Sequence, residues 1–209
     1  FGDNMNKSFV LKGHICYSQD KSTLKVFENS YLVCVDGKSK GVFENLPNEY
    51  KSLPLKDYGD KLIIPGMIDL HVHAPQYAFR GMCMDLELMD WLNQYTFPEE
   101  EKYTNLEYAK KAYSIFTKAL KNSATTRACI FATRHRDATV LLMELMEETG
   151  LVSYVGKVNM DREASEALIE ESAELSAYNT FGWINSVHNK FQNTKPILTP
   201  RFIPCCTDE

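Results

Sequence analysis

Two histidines spaced two positions apart give this sequence its clearest chemical signal. His71 and His73 follow an apolar run, and Asp69 precedes them in the same alternation. Side chains two apart on a β-strand project from the same face, so these three groups would converge. A catalytic zinc commonly takes three protein ligands and keeps one position for water. The spacing therefore predicts that His71 and His73 bind a metal ion.

The position of this pair strengthens the prediction. A bare H-x-H is weak by itself, because such pairs also occur on half-solvated strands or as satisfied core residues. This pair, however, ends the first strand of an alternating β/α region, where such folds place their active sites. The other histidines suit other roles: His14 a structural or exposed position, His135 a solvated loop or helix cap, and His188 the end of a helix.

The elements that must position these residues change character near residue 62. Residues 1–62 contain short apolar strands between polar turns and predict a small β module. Beyond it, strands and helices alternate, which predicts a parallel sheet with flanking helices. A doubly wound sheet and an incomplete (β/α)₈ barrel both fit. The predicted strands are 67–73, 125–132, 152–158 and 195–199, and the predicted helices are 86–95, 104–123, 137–149 and 163–189.

Two local details belong to this prediction. The first strand of the alternating region is apolar enough to be covered on both faces. The helix at 104–123 begins with Thr104 and Glu107, which have the spacing of a capping box.

Composition and charge exclude several classes of protein. The 209 residues are 44% apolar and 24% charged, and the net charge of −5 argues against a general binder of nucleic acid or anionic membranes. No apolar run is long enough to cross a bilayer, and residues 1–6 show no secretory signal. The six cysteines are too sparse for a disulfide scaffold and form no C-x-x-C pair. These features predict a cytoplasmic protein.

Several motifs resemble one enzyme family. Pro65-Gly66-x-x-Asp69-x-His71-x-His73 is the opening signature of the amidohydrolase superfamily. The blocks at 73–79, 88–98, 155–161 and 195–202 together make residues 62 onward similar to the guanine deaminases of that superfamily. One departure is the segment 123–127, where an Asn-Gly-Thr-Thr-Thr-like turn would be typical; it lies away from the active-site end.

The resemblance implies a fold, a reaction and a set of site residues. It implies an α/β protein whose residues 63–209 form the first half of a (β/α)₈ barrel, with 1–62 belonging to a small β-sandwich. It implies hydrolytic deamination of guanine to xanthine and ammonia, with one zinc or iron ion per chain, in a homodimer. His71 and His73 correspond to the first two metal ligands, Gln76 to a purine contact, and Arg201 with Phe202 to the pair that holds guanine. From the residues alone, without the resemblance, a strand-end salt bridge is favoured for Arg201 and a core aromatic position for Phe202.

The implied mechanism needs groups that these residues do not supply. A metal-activated hydroxide would attack C2 of guanine, and a carboxylic acid would carry its proton to the departing ammonia. The acid/base Glu and an assisting His and Asp are expected beyond Glu209, since four strands are half of a barrel and two histidines leave a zinc short of ligands. We therefore expect the functional polypeptide to be longer than 209 residues.

Three alternatives stay open at this point. Another deaminase of the superfamily, acting on cytosine, an adenosine-type substrate or an s-triazine, would share the histidines without needing Gln76, Arg201 and Phe202. A non-catalytic scaffold of the same fold would have lost its metal. A doubly wound binding domain would use both histidines as core residues.

Overall fold

The computed structural model describes residues 7–208, and the chain divides into two compact units, with the boundary in the sequence between Pro65 and Gly66. The prediction made on residues 1–6, that they carry no secretory signal, lies outside this range. Within it, no helix combines the length and the apolar character needed to cross a membrane.

The first unit is built around a four-stranded sheet. Its strands are β1 (Phe9–Ser18), β2 (Leu24–Val35), β3 (Lys38–Phe43) and β4 (Leu55–Ile63), in the order β3-β2-β1-β4. β4 runs parallel to β1, whereas the other neighbours are antiparallel. The apolar runs at 24–28 and 31–36 predict two separate strands, but β2 is continuous across them, and Asn29 between them has a φ of 45°. That residues 1–62 belong to a β-sandwich stays a prediction.

The second unit contains the four predicted parallel strands. They are β5 (Met67–His73), β6 (Thr125–Phe131), β7 (Val152–Gly156) and β9 (Thr194–Pro196), in the order β5-β6-β7-β9. The short strands β8 (Val158–Asn159) and β10 (Thr199–Pro200) also pair in parallel, just beyond β7 and β9 in the chain. Adjacent strands of this four-stranded sheet are parallel, so each is joined to the next by a crossover connection, as in β-α-β units.

Helices fill these crossovers. They are α1 (Leu88–Trp91), α2 (Phe97–Glu101), α3 (Leu106–Lys121), α4 (Arg136–Thr149) and α5 (Ala173–Val187). A π-helical segment, Leu92–Thr96, joins α1 to α2. Pro98 follows at the start of α2, and because proline has no N–H to donate, an α-helical bond is lost there and the wider turn takes its place.

Two helix starts differ from the prediction. α3 begins after Asn105, whose side chain accepts hydrogen bonds from the N–H groups of Glu107 and Tyr108, so Thr104 is not the cap. α5 begins only after Ser172, which caps the N–H of Leu175. Residues 163–172 therefore form a loop rather than the first half of a helix.

The core of this unit lies between the sheet and the helices. Its fully buried members include Ile130 from β6, Leu142 and Met146 from α4, and Trp183 from α5. The prediction that the first strand is covered on both faces is wrong: Leu70 of β5 is 75% exposed. β5 is an edge strand, paired with β6 alone among residues 7–208, so side chains of a neighbouring strand flank it on one side only.

Candidate functional site

The five predicted site residues line one cleft. It has a volume of about 920 Å³ and lies where β5, β6 and β10 end. The residues in question are His71, His73, Gln76, Arg201 and Phe202. The structure therefore brings together side chains that are up to 131 positions apart in the sequence.

The two histidines lie side by side, as their spacing predicts. Their ring centroids are 5.1 Å apart, and each lies 4.6 Å from the ring of Phe131 at the end of β6. Asp69 Oδ1 accepts a hydrogen bond of 3.1 Å from the backbone N–H of His71. The carboxylate thus braces the strand that carries both imidazoles.

His73 has the properties of a metal ligand. Its Nδ1 is buried without a hydrogen-bond partner in residues 7–208. Burial lowers the pKa of His73 to about 3, with further contributions from the charges of Arg201 and His71. The imidazole is therefore neutral near pH 7, as metal coordination requires.

The donor set fits two ligands of a metal rather than a whole site. Two neutral imidazoles on one face suit zinc or iron. Across residues 7–208, however, no three His, Cys, Asp or Glu side chains are arranged to hold a metal ion. The metal-ligand prediction for His71 and His73 stays a prediction that this geometry supports.

Gln76 enters the cleft from the turn that follows β5. The N–H of Ala74 donates to the carbonyl of Phe131 at 3.0 Å, and a 3₁₀ turn, Pro75–Phe79, begins directly afterwards. Gln76 is half-buried, and its amide makes no side-chain hydrogen bond within the described part of the chain. One donor group and one acceptor are thus available to a ligand.

Arg201 is held by a buried carboxylate. Its Nη1 donates to both oxygens of Glu100 at 2.8 Å each, and the side chains are 4% and 0% exposed. The guanidinium also lies 5.6 Å from the ring of Phe97, and the N–H of Arg201 donates to the carbonyl of Asn159 at 2.9 Å. The salt bridge expected from the residues alone is therefore present, and the same side chain lines the cleft.

An apolar cluster lies beneath the cleft. Its buried members include Leu92, Phe97 and Met160, and Phe131 and Phe202 pack against it while lining the cleft. Phe202 therefore combines the two roles considered for it, as a packed aromatic and as a cleft residue. A flat apolar wall of this kind suits a planar ring.

Sequence reasoning missed Glu100 and Phe131. Glu100 lies within Glu99-Glu100-Glu101, which resembles a solvated charge run, although Glu99 and Glu100 are buried. Glu100 follows Phe97 by three positions, and side chains three apart on a helix lie on the same face. This spacing was the signal in the sequence that Glu100 lies on the apolar face of the helix. His135 agrees with the helix-cap alternative in position, since it precedes the first turn of α4, although its side chain makes no capping bond.

Comparisons with known proteins identify the family. The sequence profile of the Amidohydrolase family matches residues 62–207. The chain belongs to the amidohydrolase family. Its (β/α)₈-type α/β fold, predicted from the alternation and the motifs, is confirmed. Deaminases of this family are metal-dependent.

Several relatives within the family are guanine deaminases. The chain is 40% identical to guanine deaminase of Rattus norvegicus, over 96% of this chain and 46% of that protein. For guanine deaminase of Escherichia coli K12 the identity is 35%, over 90% and 43%. A crystal structure of guanine deaminase from C. acetobutylicum, with guanine bound in its active site, has a TM-score of 0.89 and 42% identity, covering 96% of this chain and 48% of that one. The chain thus spans about half the length of the relatives it matches.

Proposed function

We propose that this chain supplies the metal-binding and purine-binding half of an enzyme that deaminates guanine hydrolytically to xanthine and ammonia. The observation that carries the proposal is the cleft, because both histidines and all three proposed purine-binding residues line it. The similarity to guanine deaminases, one of them with guanine bound, supports the same substrate.

In this proposal His71 and His73 bind one divalent ion, zinc or alternatively iron. Such an ion lowers the pKa of a water molecule towards neutrality and so supplies a hydroxide nucleophile. His73 contributes a neutral imidazole because burial suppresses its protonation. Asp69 accepts a hydrogen bond from the backbone N–H of His71 and so holds the main chain of the strand end that carries both rings.

Three residues bind the purine. The amide of Gln76 offers a donor and an acceptor to the edge of the ring, and Phe202 packs against its plane. Arg201 presents a planar fork of N–H groups, which matches the O6 and N7 acceptors of guanine as it does in DNA grooves. This match is what would separate guanine from purines without the 6-oxo group.

The acid/base group and the remaining metal ligands belong to other residues of the full-length protein. Two imidazoles do not complete a catalytic zinc site, and residues 7–208 bring no third ligand to them. Within residues 7–208 no Asp or Glu lines the cleft, so the carboxylic acid that carries the proton to ammonia belongs with these other residues.

The decisive experiment measures ammonia release by the full-length enzyme together with its metal content. We expect release from guanine, one ion per chain, and the loss of both in His71→Ala and His73→Ala. His188→Ala is the matched control, since that exposed histidine at the end of α5 should affect neither.

The alternatives predict different outcomes in the same assay. Ammonia from adenine, cytosine or an s-triazine but not from guanine would identify another deaminase. A protein without metal or turnover on any of these would be a scaffold. A His71→Ala protein that keeps full activity without metal would refute the ligand assignment.

Location and assembly complete the proposal. A homodimer in the cytoplasm agrees with the family resemblance. The net charge of −5 disfavours nucleic acid and anionic membranes as partners. Sedimentation of the full-length enzyme tests the dimer, and fractionation of cells that express it tests the location.

A further inference from the structure

We infer that Glu100 is the positioning residue that orients Arg201 for purine recognition. The inference rests on the proposed function and adds a residue to it. Glu100 does not line the cleft, so it acts on the substrate only through the guanidinium of Arg201.

The hydrogen-bond pattern leaves the recognition edge of Arg201 free. Both carboxylate oxygens of Glu100 accept hydrogen bonds from the same nitrogen of Arg201, Nη1, at 2.8 Å each. Nε and Nη2, which form the other edge of the planar group, make no hydrogen bond within residues 7–208 and are not among the buried unpartnered atoms there. Two parallel N–H donors are thus available on the side that Glu100 does not occupy, which is the pattern that reads O6 and N7 of guanine.

Burial makes this arrangement rigid. The Glu100 side chain is fully buried, and desolvation raises its pKa while the charge of Arg201 opposes that rise. A carboxylate in such a place needs its cation, so the guanidinium cannot rotate away without leaving a buried charge unpaired. Arg201 is therefore fixed before any ligand arrives, which reduces the entropy lost on binding.

The neighbouring Glu99 provides a matched control on the same helix. It is also buried, but it pairs with Lys102 at 2.7 Å and with the hydroxyl of Tyr108. A general need for buried acids in α2 would make both residues equally important. An orienting role makes only Glu100 important for substrate choice.

The first experiment compares Glu100→Gln with Glu99→Gln in the full-length enzyme. For Glu100→Gln we expect kcat/KM on guanine to fall about tenfold to a hundredfold at unchanged metal content. The preference for guanine over 2-aminopurine, which lacks the 6-oxo group, should fall with it. Glu99→Gln should keep that preference. If the parent enzyme does not act on guanine, the proposed function fails; if it does and Glu100→Gln keeps the parental preference, the inference alone fails.

A rescue experiment covers the case in which Glu100→Gln does not fold. Arg201→Ala leaves a guanidinium-sized space above Glu100, and guanidinium ion at non-denaturing concentration should restore part of the activity on guanine. The double variant Arg201→Ala/Glu100→Gln holds no buried unpaired charge and should not be rescued. Equal rescue of both variants, or of neither, would overturn the role of Glu100.

Discussion

Substituting Gly156 by alanine should damage both the stability and the site of this protein. Gly156 ends β7, and a methyl group built on it would lie 2.1 Å from Oγ1 and 2.2 Å from Cγ2 of Thr199. Ordinary contact begins at 3.4 Å, so Thr199 would have to move by about 3.4 − 2.1 = 1.3 Å. Thr199 belongs to β10, two residues before Arg201, and the displacement would reach the guanidinium.

The magnitude follows from what the displacement breaks. Overpacking a close-packed site costs about 1–3 kcal/mol. Moving Thr199 also breaks its 2.8 Å hydrogen bond to the carbonyl of Lys157, worth about 1 kcal/mol. We therefore expect the free energy of unfolding to fall by about 2–4 kcal/mol. A shift of this size near bound substrate should lower kcat/KM on guanine by about a hundredfold.

Urea unfolding of the full-length enzyme measures the first effect and ammonia release the second. Gly182→Ala is the control, because a methyl group there meets nothing within 4 Å. Since Gly182 lies inside α5, alanine should raise the free energy of unfolding by about 0.5–1 kcal/mol. Adding Thr199→Gly to Gly156→Ala removes the colliding atoms and should recover part of both losses. A Gly156→Ala enzyme as stable and active as its parent would refute this reasoning.

Three further substitutions test other contacts. Lys157→Met removes the cation that pairs with buried Glu170 at 2.6 Å and should cost about 3–5 kcal/mol by urea unfolding; adding Glu170→Leu should restore stability, and no recovery would contradict the pairing. The carboxylate of Glu147 accepts the N–H groups of residues 192–194, and although burial acts to raise its pKa, these bonds lower it overall. The contribution of Glu147 to the free energy of unfolding is therefore complete above the unfolded pKa of about 4.3, and it is lost as the pH falls through the lower folded value. The urea midpoint of the parent should fall on the acid side for this reason. The fall should be the same in the control Glu148→Gln and smaller in Glu147→Gln. Asn105→Ala should remove the cap of α3 and lower stability by about 1 kcal/mol in the same assay, and an unchanged midpoint would argue against capping.

Local signals in the sequence were sufficient for the strands and for the histidine pair. The period of two in Asp69-x-His71-x-His73 fixes a shared face without any knowledge of the rest of the chain. The four parallel strands could be predicted because apolar runs and helical stripes alternate in the sequence. The merged strand β2 shows the limit of such signals, since one residue at positive φ carried the chain through an apparent break.

Tertiary partners account for what the sequence did not reveal. Glu100 looks solvated until Arg201, 101 positions later, is seen to neutralise it. Residues 163–172 have helical spacing, but Glu170 forms an ion pair with Lys157, and its backbone N–H donates to the carbonyl of Met160. These two contacts hold the segment in a loop and prevent it from extending α5. The exposure of Leu70 likewise depends on strand order, which no local pattern encodes.

The separation of Glu100 from Arg201 has a consequence for folding during synthesis. A ribosome adding about 5–20 residues per second needs roughly 5–20 s to pass from one residue to the other. Throughout that time α2 carries a carboxylate whose cation does not yet exist, so packing Glu100 into the apolar cluster is unfavourable. The apolar cluster beneath the cleft can therefore pack fully only after β10 has been synthesised. In a ribosome-bound chain halted before Arg201, α2 should still be accessible to a protease.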